Sequence, residues 1–327
     1  MILITGAAGF IGSALAWALN RRGRNDLVLV DRFGSGGKWK NIVGLRFRQF
    51  VDRTELFEQL ATAPWAREIE AVFHIGACTD TTLNDADFFL KWNYEYSCKL
   101  CEWSLARDIC FLYASSAAVY GDGALGFSDE PDLTFKLKPM NAYGLSKWMF
   151  DKYILENDLY RRVAGFRFFN VFGPNEYHKG RMASVIFHTY PQARDRGVIR
   201  LFESHRPDVA HGEQKRDFIY IEDVLDAMLF VFDHPECHGI LNVGSGYAHS
   251  FNELAAAVFA ALGKPVNIEY FPMPEDLRER YQYHTCANLS RLQNAGFSPP
   301  VARFTERVKH YVSDYLSTSK YLSDNQG

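Results

Sequence analysis

Tyr143 and Lys147 lie four residues apart in the run Asn141-Ala142-Tyr143-Gly144-Leu145-Ser146-Lys147, a spacing that puts a phenol and an ammonium on one face of a helix. A tyrosine titrates near pH ~10 and serves as a base at neutral pH only where a positive charge stabilises its phenolate, the role this spacing offers Lys147. Such pairs also decorate solvated helices, so the chemistry depends on what else the chain brings to them. Ser116, just beyond an apolar run at 110–115, could hydrogen-bond a substrate oxygen while Tyr143 exchanges the proton; Ser115 is its rival. Ala117 and Ala118 follow, and two methyl groups can neither give nor take a proton, which disfavours elimination of water. Lys179, within Tyr177-His178-Lys179-Gly180-Arg181, becomes a second proton carrier if burial or neighbouring positive charge lowers its pKa from about 10.4.

These side chains need a frame. Met1-Ile2-Leu3-Ile4-Thr5 reads as a buried parallel strand, and Gly6-Ala7-Ala8-Gly9-Phe10-Ile11-Gly12 as a glycine turn opening a helix over 10–23. Glycine lets the backbone turn tightly and approach a diphosphate, which the free N–H groups and positive dipole of the helix would hold. A nucleotide would then lie on Gly6, Gly9, Phe10, Ile11 and Gly12. The next apolar strand, Leu27-Val28-Leu29-Val30, ends at Asp31, where a carboxylate would meet an adenosine ribose. Asp31 alone argues for NAD, since a carboxylate repels a 2′-phosphate; yet Arg32, Lys38 and Arg53 follow the second and third strands and could hold that phosphate with Asp31 turned aside. Ile75, Gly76, Ala77, Cys78 and Thr79 offer small residues and backbone amides beside the nicotinamide ribose and diphosphate, with Asn93 a helix-borne amide partner for local backbone.

Apolar strands recur at 1–5, 27–31, 70–75, 110–115 and 162–168, separated by helical patterns near 10–23, 54–63, 85–107 and 142–158. That alternation predicts an α/β fold, a Rossmann-type doubly wound parallel sheet covered on both faces. Beyond Asn170 the rhythm breaks. Residues 1–170 and 217–245 are expected to form the nucleotide-binding domain, 171–216 and 246–312 a smaller α/β substrate lobe, and 317–327 a frayed polar tail. The 327 residues are 47% hydrophobic and 23% charged, with net charge −3, so no global positive field favours nucleic acid or an anionic membrane. Cys98 and Cys101 sit among apolar residues of a predicted helix without a second Cys or His pair, which reads as buried thiols rather than a metal site. No stretch approaches the roughly 18 apolar residues that span a bilayer, nor is there a leader pattern, so the expected setting is cytoplasmic.

The glycine turn, Ser115/Ser116 and the Tyr143/Lys147 pair, in that order, resemble the extended short-chain dehydrogenase/reductase family of nucleotide-sugar enzymes. Segments 111–121, 165–173 and 178–185 are similar, more narrowly, to its branch of ADP-heptose 6-epimerases. The resemblance implies Ser116 rather than Ser115, Lys179 working opposite Tyr143, and cofactor contacts from Lys147, Val171 and Lys179. It also implies NADP over NAD, with Lys38 and Arg53 at the family's basic positions; Trp92 stands where close relatives carry asparagine. Substrate positions carried over are Asn170, Arg181, His188, Phe202, Glu203, Ser204, His205, Arg216 and Tyr281, of which Arg216 has the fork suited to a diphosphate. The implied reaction is inversion at C6 of ADP-D-glycero-β-D-manno-heptose for lipopolysaccharide inner-core synthesis, by a bacterial homo-oligomer, pentameric in relatives. A UDP-hexose 4-epimerase is the nearest rival. A catalytically silent NADP-binding regulator is the other, and it would not need Ser116, Tyr143 and Lys147 together.

Overall fold

The computed structural model describes residues 1–81, 83, 85–278, 281–299 and 303–325. Its strands, in chain order, are β1 (Ile2–Thr5), β2 (Leu27–Asp31), β3 (Gln49–Asp52), β4 (Ala71–His74), β5 (Cys110–Ser116), β6 (Val163–Phe168), β7 (Asn170–Phe172), β8 (Ile199–Phe202), β9 (Lys215–Tyr220), β10 (Gly239–Val243), β11 (Ala248–Ser250) and β12 (Ile268–Phe271). Seven of them form one sheet in the order β10-β6-β5-β4-β1-β2-β3, and every pairing in it is parallel. The chain reverses its direction of winding between β1 and β4, and a doubly wound sheet binds ligands at such a point, beyond the carboxyl ends of its strands.

Alternation along the strands supplies both faces of the core, because successive side chains point to opposite sides. Ile2, Ile4, Leu27, Leu29, Phe73 and Leu112 pack with the helices Phe10–Arg21 and Ile221–Asp233. Leu3, Val28, Val30, Val72, Phe111 and Tyr113 pack on the other face with Leu56, Leu60, Leu100, Phe150 and Ile154 from the helices Leu56–Thr62, Tyr96–Leu105 and Ala142–Glu156. A sheet so covered has no wet face, which is why its strands read as unbroken apolar runs.

Within 217–245, β10 enters the large sheet, whereas β9 pairs with β7 and β11 in a separate three-stranded sheet. β8 and β12 form a two-stranded parallel sheet. The helical stretch expected at 85–107 is broken in character: a π-helical turn, Leu90–Glu95, joins Ala86–Phe89 to Tyr96–Leu105. Cys98 and Cys101 lie on the last of these, and burial pushes both thiols up to about 12. No described helix is long and apolar enough to cross a membrane.

The tail departs from the expectation of fraying. Leu322 is fully buried, its N–H donates to the Asn175 side-chain oxygen at 3.0 Å, and the Tyr321 ring stands edge-on to Tyr177 at 5.1 Å. Two apolar anchors inside a polar stretch hold it, a feature that composition averages away; residues 326–327 lie outside the described part.

Candidate functional site

A cleft opens over the carboxyl ends of β1, β2 and β4. Its floor is the glycine turn. Gly6 has φ +65°, and a Cβ there would lie 2.6 Å from the Gly76 Cα, while one on Gly12 would lie 2.2 Å from the Gly6 carbonyl; only glycine allows this close packing of turn, helix and the loop after β4. The helix Phe10–Arg21 starts at Gly9 with no side chain capping it, so its first N–H groups and positive end are left to an anion. Phe10, Ile11, Asp31, Lys38, Arg53 and the loop Ile75–Thr79 complete the walls. The Asp31 carboxylate is engaged on both oxygens: one accepts the Ala8 N–H at 2.8 Å, the other the Arg32 N–H at 2.6 Å and the Lys38 ammonium at 2.5 Å. Asn93 is wholly buried behind the cleft, where its amide grips both the N–H and the carbonyl of Cys78 at 2.9 Å. Among the described residues no cluster of His, Cys, Asp or Glu could hold a metal ion.

Thr79 belongs also to a second cavity, lined by Ser116, Ala117, Ala118, Tyr143, Asn170, Arg216 and Tyr281. Ser116 terminates β5, and its oxygen accepts the Ala118 N–H at 3.1 Å. The Tyr143 ring lines the same cavity as Ser116. Burial raises the Tyr143 phenol above its ordinary value, and the neighbouring Ser116 hydroxyl opposes the rise. Ser115 faces the other way, 2.9 Å from Asp151, so the serine in the cavity is Ser116.

Asn141 caps the helix Ala142–Glu156 by accepting the Gly144 N–H at 2.8 Å, and Gly144 sits so close that a Cβ would lie 2.8 Å from the Ala118 carbonyl. The first turn of this helix is thereby held against the segment that follows Ser116. Lys147 is 3% exposed and donates to the Ala114 carbonyl at 2.7 Å. Its hydrogen bond is therefore to the strand behind the serines and not to the phenol, and burial lowers its pKa to about 8.

Lys179 lines the nucleotide cleft, its ammonium 5.3 Å from the Phe10 ring centre, and burial lowers its pKa. It stands on the wall of the first cavity while Tyr143 stands on the second. The turn carrying it, Tyr177–Met182, hangs from buried Glu176, whose carboxylate accepts from the Ser184 hydroxyl at 2.7 Å and the Tyr311 hydroxyl at 2.9 Å.

Other expected residues lie elsewhere. Arg32 is exposed, and Val171 lies on β7 outside both cavities. Arg181 pairs with Asp80 at 3.2 Å and is mostly exposed. His188 projects to solvent from the helix Val185–Pro191. Phe202 stands edge-on behind Tyr281, Glu203 follows it at the end of β8, and Ser204 and His205 are tied to Tyr283. Arg216 does reach the cavity. It is buried, its guanidinium 5.0 Å from the Tyr281 ring centre, and donates to the Lys215 carbonyl at 2.9 Å. Among the described residues no carboxylate pairs with it. Cleft residues that sequence reasoning passed over are His178, beside Lys179, and Tyr96, four positions after Trp92. His178 contacts Asn41 at 3.2 Å, and burial lowers its pKa to about 4. The signal for Tyr96 was present, as the same i,i+4 spacing that singled out Tyr143 and Lys147.

A family model described as the NAD dependent epimerase/dehydratase family matches residues 2–244. The ADP-L-glycero-D-manno-heptose-6-epimerase of Nitratidesulfovibrio vulgaris (strain DP4) is 44% identical over 98% of this chain and 99% of its own length. The crystal structure of Helicobacter pylori ADP-L-glycero-D-manno-heptose-6-epimerase matches with a TM-score of 0.76 at 29% identity, over 97% of this chain and 95% of that one. The UDP-glucose 4-epimerase of Thermus thermophilus, solved as a complex with NAD, also reaches 0.76, over 98% of this chain and 99% of that one; at 23% identity this is a likeness of fold alone.

Proposed function

We propose that this chain, which belongs to the NAD dependent epimerase/dehydratase family, inverts C6 of ADP-D-glycero-β-D-manno-heptose to give the L-glycero isomer. The observation that carries a redox epimerisation is that Ser116 and Tyr143 line one cavity, which shares Thr79 with the nucleotide cleft. The substrate assignment is supported by the near full-length identity to a named heptose epimerase.

The glycine turn, uncapped helix start and basic walls fit a dinucleotide. Gly6, Gly9 and Gly12 would take its diphosphate, and Lys38 with Arg53 an adenosine 2′-phosphate, so NADP is the reading for this chain. When bound, the nicotinamide supplies a hydride acceptor and then the donor that restores C–H on the opposite face. Tyr143 carries the proton of the C6 hydroxyl, with Ser116 hydrogen-bonded to the same oxygen. Lys179 handles that proton when the sugar lies in its other orientation. Arg216 holds the substrate diphosphate and keeps the ketone from leaving between the two half-reactions. Ala117 and Ala118 offer no proton carrier that could divert the ketone to elimination. The reading further takes the enzyme as a cytoplasmic homo-oligomer, pentameric as the family resemblance implies, supplying a lipopolysaccharide inner-core precursor.

Purified protein incubated separately with the ADP-heptose and with UDP-glucose or UDP-galactose tests this, with products followed by NMR. The expected result is turnover of the heptose alone, reduced at least about 10²-fold by Tyr143→Phe with nucleotide still retained. Turnover of a UDP-hexose and not the heptose would make the chain a 4-epimerase; retained nucleotide with turnover of neither would favour the regulator.

A further inference from the structure

Of the two cations that follow β2 and β3 on the cleft wall, Lys38 is already ion-paired with Asp31 at 2.5 Å. Arg53 makes no ion pair with a described residue, although the Asp52 carboxylate feels its charge. Its nearest acid in sequence, Asp52, is occupied by the Thr54 N–H at 2.8 Å and the Thr54 hydroxyl at 2.6 Å, and among the described residues no carboxylate lies within ion-pair distance of Arg53. Its Nε is buried without a hydrogen-bond partner. What holds the side chain is aromatic: its Cζ lies 4.1 Å from the centre of the Trp92 ring, while the Tyr96 hydroxyl holds the backbone by donating to the Arg53 carbonyl at 3.1 Å. Both rings line the cleft, 6.0 Å apart, and Trp92 lies on the π-helical turn Leu90–Glu95. A wider turn re-aims the side chains it carries, and such turns recur where a helix meets a ligand.

We propose that Trp92 is a positioning residue for cofactor choice: its indole face holds the Arg53 guanidinium at the adenosine end of the cleft, where it takes the 2′-phosphate. A guanidinium stacked on an aromatic face keeps its N–H edge free for an anion. Arg53, rather than the Asp31-bound Lys38, is then the principal phosphate ligand. The inference deepens the NADP reading and rests on it.

The test is the pair of dissociation constants for NADP and NAD on nucleotide-stripped protein, for wild type, Trp92→Phe, Trp92→Ala, Arg53→Gln and the double variant Arg53→Gln/Trp92→Ala. Trp92→Ala should weaken NADP about three- to tenfold and leave NAD within about twofold, with Trp92→Phe in between. In the Arg53→Gln background, removal of Trp92 should no longer change the NADP/NAD ratio. Unchanged NAD binding also shows that the cleft is intact. Equal losses for both dinucleotides would mean that Trp92 serves a part they share, and a full Trp92 effect without Arg53 would uncouple the two; either result overturns the inference while the NADP reading stands. A wild-type protein without preference for NADP overturns both.

Discussion

The Ser115 hydroxyl lies 2.9 Å from the Asp151 carboxylate, with neither side chain reaching the cavity that Ser116 and Tyr143 line. Asp151 also accepts from the Tyr113 hydroxyl at 3.0 Å and pairs with Arg167 at 2.9 Å, both partners of the ion pair fully buried. Adjacent residues of one strand point to opposite faces, so Ser115 belongs to this buried network and Ser116 to the cavity.

Separate consequences follow for the two serines. Ser116→Ala should lower kcat by about 10- to 100-fold with little change in melting temperature, because it removes a bond made at the reacting oxygen. Ser115→Ala should leave kcat near wild type and cost about 1–3 kcal/mol of stability, since a buried carboxylate loses a donor. Parallel kinetics and denaturant unfolding of both variants check this; a catalytic loss larger in Ser115→Ala would reverse the assignment.

Lys147 gives a pH signature. Its pKa falls from 10.5 to about 8 through burial, against a smaller rise from Asp151, so from pH 8 to about 10.5 the unfolded chain binds the proton that the folded chain has released. Where the unfolded state holds more protons, stability rises with pH. The burial cost of the charged lysine is thus full below pH 8 and relieved as pH climbs through that window. Unfolding free energies of nucleotide-stripped wild type and Lys147→Met, measured from pH 7 to 10, should show wild type gaining on the variant above pH 8. A constant difference would mean that Lys147 titrates as a solvated lysine.

Much of this was legible from residue types and spacing. Buried parallel strands declare themselves as apolar runs, as β1 and β2 do, and the glycine turn requires its residues for a steric reason. Spacing put Tyr143 and Lys147 on one helix face, but it does not fix where a four-carbon chain points its ammonium, and the Ala114 carbonyl took it. His188 was out of reach for a similar reason: a motif can include a helix position whose side chain turns to solvent. Lys179 and Tyr143 came from separate segments, and only the fold shows that they line different cavities.

Arg216 combines burial with the lack of a carboxylate partner among the described residues, and burial pulls its pKa down. An uncompensated buried cation costs stability unless an anion joins it. Arg216→Gln should therefore raise KM about 10- to 100-fold while stability holds or improves, and Arg216→Lys should recover only part of the affinity, because an ammonium lacks the fork. Steady-state kinetics with a melting curve decides it. Loss of stability in Arg216→Gln without a change in KM would make the residue structural.

The course of the hydrogen is the most direct test of the proposed cycle. With ADP-heptose deuterated at C6 and no added cofactor, a hydride that leaves and returns within one closed site keeps its label, and product should carry deuterium at the inverted carbon. Solvent hydrogen should not enter, since the proton that Tyr143 and Lys179 handle is the hydroxyl's and not the one on carbon. Mixed labelled and unlabelled substrates should not exchange, provided Arg216 holds the ketone through its turn. Mass spectrometry reads all three. Washout into water would indicate deprotonation at carbon, and crossover between substrate molecules would mean that the ketone or the dinucleotide escapes between half-reactions. Crossover that appears only in Arg216→Gln would keep the cycle and assign its retention to that guanidinium.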